Sequence, residues 1–343
     1  MNYLIKFLII IFYTFINPFS LFANEVNVYT SRHYDSDDAV YKEFTNLTGI
    51  KVNIIFGKGK ALMERLRFEG KNSPADVFIT SDAGNLWKIQ KDGMFKRIIS
   101  KKIIDIVPEN ARGPKNEWVG IARRSRVIFY NPINIKKAEI DNISYEDLAD
   151  PKWKGRIVIR SSSNIYNQSL VASMISNIGI KETEKWAKGF VNNFARKPQG
   201  NDRAQILAVA NGEADIAIAN TYYFGLMLSG NKGIDQQKAA ERVMMIFPGQ
   251  NDRGTHINIS GAGIMKNAPN TNNAEKFIEF LLTEKIQKYI VENTFEYPIL
   301  RNIAPRKEIA QFGVNFKTDE TSASDFGKYN PDAVRLMDRV GWR

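Results

Sequence analysis

Two periodicities alternate along the chain. Short apolar, β-branched runs at 26–29, 52–56, 77–80, 157–160 and 216–219 read as strands. Between them, apolar positions recur at helical spacing and predict helices over 37–48, 61–68, 86–91, 168–178, 204–210 and 275–292. Gly49, Gly93, Gly179 and Gly212 fall where those helices should stop, as residues free to turn left-handed at a C-terminus do. Strand and helix alternating in this way predict an α/β fold. Residues 147–155 have the composition of a loop closed by a turn, and no internal repeat or low-complexity tract interrupts the pattern.

Residues 1–23 depart from it. They carry one charge, Lys6, then a nearly unbroken apolar run over 7–15, then Pro18, Ser20 and the small residue Ala23 ahead of Glu25. This is the layout of a secretory signal peptide with cleavage near Ala23. Asn17 and Pro18 interrupt the run before it reaches the ~20 residues of a spanning helix. The chain has no cysteine, which excludes disulfides, thiolate metal sites and an N-terminal lipid anchor. The expectation is therefore a soluble periplasmic protein that is not a lipoprotein, long enough for roughly two domains. The formal charge of +11 changes little. Lys and Arg are interleaved with Asp and Glu rather than clustered, which predicts a solvated surface and no nucleic-acid partner.

In an open α/β sheet, ligands bind beyond the carboxyl ends of the strands. Tyrosines recur there. One strand runs into Ser31-Arg32-His33-Tyr34-Asp35, a later one into Ser161-Ser162-Ser163-Asn164-Ile165-Tyr166, and another into Asn220-Thr221-Tyr222-Tyr223. Each turn opens a predicted helix. With 13 Tyr in 343 residues, chance supplies roughly half an adjacent pair. Tyr222-Tyr223 therefore gains its weight from position: these tyrosines follow polar or small residues in loops instead of lying on an apolar stripe.

Neutral phenols gathered together offer only hydrogen bonds, and gathered phenolates repel one another unless a concentrated positive charge compensates. A trivalent cation supplies that charge, and hard anionic oxygen donors suit iron(III). Calcium or magnesium would call for carboxylates and carbonyls, zinc for His or Cys. Tyr34, Tyr166, Tyr222 and Tyr223 are the candidate Fe(3+) ligands. Arg126, in the 118–130 segment, and Arg203, after Gly200-Asn201-Asp202, are candidates for guanidinium support behind them. His33 is a further candidate ligand, although neighbours on an extended backbone point to opposite sides.

Four stretches carry a resemblance: Val28-Tyr29-Thr30-Ser31-Arg32-His33-Tyr34, Pro74-Ala75-Asp76-Val77, Gly200-Asn201-Asp202 and Ala219-Asn220-Thr221-Tyr222-Tyr223. Together with the domain pattern, the chain resembles the ferric-iron-binding periplasmic proteins that feed binding-protein-dependent transporters, in particular the branch found in cyanobacteria. The resemblance implies a two-lobed periplasmic-binding-protein fold of type II, with hinge strands and a ligand cleft between lobes. It divides the chain into 24–124 plus about 255–305, and 125–254 plus about 306–343. It implies a non-enzymatic, monomeric carrier that hands ferric iron to an inner-membrane ABC permease. By motif, Tyr222 and Tyr223 are the paired ligands, Tyr34 follows the histidine of the first stretch, and Tyr166 is the additional tyrosine of the cyanobacterial branch. Some relatives of this kind use a glutamate after the second strand and a bound anion; here that turn is Gly57-Lys58-Gly59-Lys60-Ala61, without a carboxylate.

Two other readings stay open on the residues alone. One keeps the fold and exchanges the ligand for an organic anion or other nutrient, held by Arg126, Arg203 and the Ser161-Ser162-Ser163 turn. The other is an exported hydrolase or lyase with a tyrosine or Ser161 as nucleophile. Against it, the chain has no G-x-S-x-G, no H-E-x-x-H and only two histidines.

Overall fold

The computed structural model describes residues 24–32 and 34–343. The signal-peptide expectation for 1–23 and the ligand expectation for His33 thus lie outside the described residues. Among the described residues, eight strands build a mixed sheet: β1 (Glu25–Thr30), β2 (Lys51–Phe56), β3 (Val77–Thr80), β4 (Val119–Tyr130), β5 (Ile157–Val158), β6 (Ile216–Asn220), β7 (Met244–Ile246) and β8 (Ile257–Ile264). Their order is β2-β1-β3-β8-β4-β6-β5, with β7 paired to β4. β1 runs parallel to β2 and β3, and β5 parallel to β6. β8 is antiparallel to both β3 and β4.

The sheet serves two lobes because β4 is long enough to belong to both. Its first part, Val119–Ser125, pairs with β8. From Arg126 onward it pairs with β6 and β7. One core gathers Val26, Val28, Val77 and Ile79 under Phe44, Leu66 and Ile278. In the other lobe Ile216 and Ile218 face Leu170, Phe190 and Trp342, while Ala217 and Ala219 face Ile206 and Phe224. β6 is buried on both faces, which is why it reads as an unbroken apolar run.

The chain passes between the lobes again near its end. Ala323 and Phe326, on the helix Ala323–Lys328, join the first core, whereas Ala333, Leu336 and Met337, on Asn330–Arg339, join the second. Gly327 makes this passage close. A Cβ there would stand 2.4 Å from Trp87 Cβ, so no larger residue fits without displacement.

The predicted strands and helices are present with shifted ends. Gly49 closes Asp37–Thr48 at φ 68°, a left-handed cap. Gly179 leaves the helical conformation at φ 80°, ψ 164° and ends its helix as expected; a second helix begins at once, so Ile165–Asn192 is two helices meeting at a kink. The predicted 275–292 helix is two, Thr271–Leu281 and Glu284–Thr294, separated where Thr283 adopts an extended backbone. The 157–160 strand is confined to Ile157–Val158. The alternation pattern predicts neither β4 nor β8. Among the described residues, no helix is long and apolar enough to cross a membrane.

Candidate functional site

The predicted tyrosines occupy strand-to-helix turns on facing sides of the cleft. Tyr222 and Tyr223 lie in the first turn of Thr221–Leu228, which begins directly after β6. Tyr166 lies in the first turn of Ile165–Asn192, where the Asn164 side chain accepts the Tyr166 N–H at 3.0 Å. Tyr34 comes from the loop between β1 and Asp37–Thr48, on the other lobe.

These four side chains meet. The Tyr166 and Tyr222 hydroxyls are 3.4 Å apart. The Tyr34 ring meets Tyr222 edge-on with centroids at 6.2 Å, and the Tyr222 and Tyr223 rings lie 4.1 Å apart at 30°. Tyr34, Tyr222, Tyr223, Asn201, Arg203, Lys232 and Asn293 are among the residues lining an open cavity of about 340 Å³.

A set of buried ions stands behind the phenols. The Arg32 guanidinium lies 4.8 Å from the Tyr34 ring centroid and donates to Asp37 (2.8 Å) and Glu296 (3.0 Å). Arg124, on β4, lies 5.1 Å from the Tyr166 ring and donates to the other Glu296 oxygen at 3.1 Å. Arg160 lies 5.7 Å from the same ring and donates to Asp202 at 3.1 Å. Arg126 donates to Asp202 (3.1 Å), to Asn220 (3.2 Å) and to Asn167. Asp202 also accepts the backbone N–H of Asn220 at 2.8 Å, so one carboxylate ties three elements to the turn that carries Tyr222.

The two predicted arginines therefore take different places. Arg126 is fully buried beneath the Tyr222 turn, held by Asp202, Asn167 and Asn220. Arg203 lines the solvent-open cavity. The motif reading misses Arg32, Arg124, Arg160 and Glu296. Their signal in the sequence is charge inside otherwise buried apolar runs, as in Arg123-Arg124-Ser125-Arg126 within β4. His256, the other histidine, stands apart at the start of β8, against Phe326 at 4.8 Å.

Burial holds Tyr34, Tyr222 and Tyr223 neutral. Desolvation, with Glu296 beside it, pushes Tyr34 well above the ordinary phenol value, against the pull of Arg32 and Arg124. Tyr222 is pushed well up by burial and by the neighbouring tyrosines, and Tyr223 to about 12, chiefly by burial. Among the described residues no three His, Cys, Asp or Glu side chains gather to hold a metal. The nearby carboxylates Glu296, Asp202 and Asp37 are each engaged by arginine. The cavity itself is lined by the phenols of Tyr34, Tyr222 and Tyr223, with Asp35, Ser36, Asn201 and Asn293 around them.

The sequence pattern of bacterial extracellular solute-binding proteins matches residues 30–288. The chain belongs to that family. It is 50% identical to Iron uptake protein A1 of Synechocystis over 93% of this chain and 88% of that protein, and 43% identical to Iron uptake protein A2 of the same organism over 94% and 91%. A Trichodesmium structure in complex with iron and citrate ligands superposes with a TM-score of 0.89 at 51% identity, covering 93% of this chain and all of that one. The architecture is thus the two-lobed type II solute-binding fold, and these family relatives are binding proteins.

Proposed function

We propose that the protein captures ferric iron in the cleft, with Tyr34, Tyr166, Tyr222 and Tyr223 as phenolate ligands. The observation that carries this reading is the convergence of four tyrosines from facing lobes, with two hydroxyls 3.4 Å apart. Charge supports it. Four phenolates around a trivalent ion leave one negative charge in excess. The guanidiniums of Arg32, Arg124, Arg126 and Arg160 outnumber the carboxylates of Asp37, Asp202 and Glu296 by one. Those guanidiniums offset the excess from behind the phenols, where uncompensated charge is costly. A divalent ion in the same cage would leave a deficit.

Iron uptake in the relatives' names and the iron held in the Trichodesmium structure favour the same cargo. On this reading the protein is a monomeric periplasmic carrier without enzymatic activity, made with a leader that is removed on export, and it delivers iron to an inner-membrane ABC permease. Arg126 stabilises the Tyr222 turn, and His33 stands close enough in sequence to Tyr34 to add a donor.

Ferric citrate added to the purified apoprotein should develop a phenolate-to-iron charge-transfer band that Tyr222→Phe shifts and weakens. A protein that stays colourless, but whose melting temperature rises with metal-free organic anions, would be an anion carrier instead.

A further inference from the structure

Three consecutive residues, Phe295, Glu296 and Tyr297, connect to every part of the site without contributing a ligand. Phe295 caps the helix Glu284–Thr294 in a left-handed conformation, φ 60° and ψ 15°. That position ordinarily goes to glycine, and an aromatic residue held there marks a segment fixed by its surroundings. The ring is buried against the Tyr222 helix. A Cβ on Gly225 would come within 2.6 Å of Phe295 Cδ1. Tyr297 exchanges both backbone hydrogen bonds with Arg123 of β4, at 2.7 and 2.8 Å. In that antiparallel register Glu296 falls beside Arg124.

Glu296 is entirely buried and uses both oxygens. Oε2 accepts from Arg32, whose guanidinium covers Tyr34. Oε1 accepts from Arg124, whose guanidinium covers Tyr166, and from Ser260 on β8 at 2.9 Å. One carboxylate thereby sets the orientation of two guanidiniums that face tyrosines on opposite lobes. Through Phe295 the same segment bears on the helix of Tyr222 and Tyr223.

We infer that Glu296 is a positioning residue for the iron site, holding Arg32 and Arg124 so that Tyr34 and Tyr166 present their oxygens to one ion, with the Phe295–Gly225 contact fixing its register against Tyr222 and Tyr223. The inference rests on the ferric reading above. A fork-shaped guanidinium has a direction, and a carboxylate that grips it in a buried place fixes that direction.

The test compares wild type with Glu296→Gln, which keeps the shape of the side chain and removes its charge, and with Gly225→Ala, which displaces Phe295 and changes no charge. Each is loaded with ferric citrate; the charge-transfer maximum and the rate of iron loss to a competing chelator are read beside the melting temperature of the apoprotein. Both variants should shift the band and weaken iron binding by about 10- to 100-fold, the range typical of residues that orient metal ligands. Loss of melting temperature without a band shift would mean a merely structural role and overturns the inference. So does a Glu296→Gln protein with wild-type band and release rate, whatever Gly225→Ala does. A wild-type protein without any band overturns the iron reading, and this inference with it.

Discussion

The two sides of the cleft are built differently. The second lobe presents three tyrosines from the first turns of two helices, and those helices are tied together by Asp202, Arg126 and Arg160. The first lobe presents Tyr34 alone, from a loop, steadied by Arg32 and a carboxylate only five residues away, Asp37. A helix start held by a buried carboxylate keeps its geometry whether or not a ligand is present; a loop tyrosine depends more on what it meets. On the ferric reading proposed above, the difference makes the second lobe the more firmly braced half of the site and Tyr34 its more ligand-dependent part.

The strongest way to break this contrast is at its anchor. Asp202→Asn removes the partner of two buried guanidiniums, which should destabilise the apoprotein by about 3–5 kcal/mol, measured by denaturant unfolding. Asp37→Asn, partly solvated at 12% side-chain exposure, should cost less; equal losses would erase the distinction. Next comes the more firmly braced half. Tyr222→Phe removes the central phenol and should lower ferric affinity by more than about 100-fold, past the range for residues that only orient ligands. Tyr34→Phe should weaken binding by about 10- to 100-fold yet keep a shifted charge-transfer band from the other three phenolates. A colourless Tyr34→Phe protein would show that the second lobe cannot hold iron unaided.

The smallest effect concerns the junction between the halves. His256 sits where β8 leaves the second lobe, its imidazole pushed down to about 3, chiefly by burial and against the pull of Asp319. The arginines 126, 253 and 124 also disfavour its charge. In the unfolded chain the ring protonates near its ordinary value of ~6.5. Stability from the neutral ring is thus fully present above that value and is drained as pH falls through it towards about 3. Lowering the pH from 7 to 5 should cost on the order of 2 kcal/mol through this ring, a dependence that His256→Gln should flatten in thermal melts.

Much of this was legible from pattern. The strands of the N-terminal lobe and β6 are apolar runs with short boundaries, and all four tyrosines follow such runs directly. The crossing strands were not legible for a physical reason. β4 carries Arg123, Arg124, Ser125 and Arg126 in succession, and a period-2 reading takes such a stretch for surface. Arg124 and Arg126 are buried because each meets a carboxylate contributed from far along the chain: Arg124 meets Glu296 and Arg126 meets Asp202. No local window contains both members of such a pair. Arg203 and its neighbour show a finer division. Its place beside Gly200-Asn201-Asp202 made it conspicuous, yet Asp202 is the residue that reaches the interior, while Arg203 lines the open cavity.

The long strand β4 and the late return of the chain also govern the order in which the protein can be assembled. The N-terminal lobe takes its sheet partner for β3 from β8, at 257–264, and part of its core from Ala323 and Phe326. Nothing made early is complete until the last helices exist, because contacts of such large sequence separation form late. The first two hundred residues therefore cannot lock early into a finished domain: topology itself postpones closure of the first lobe until its late partners arrive.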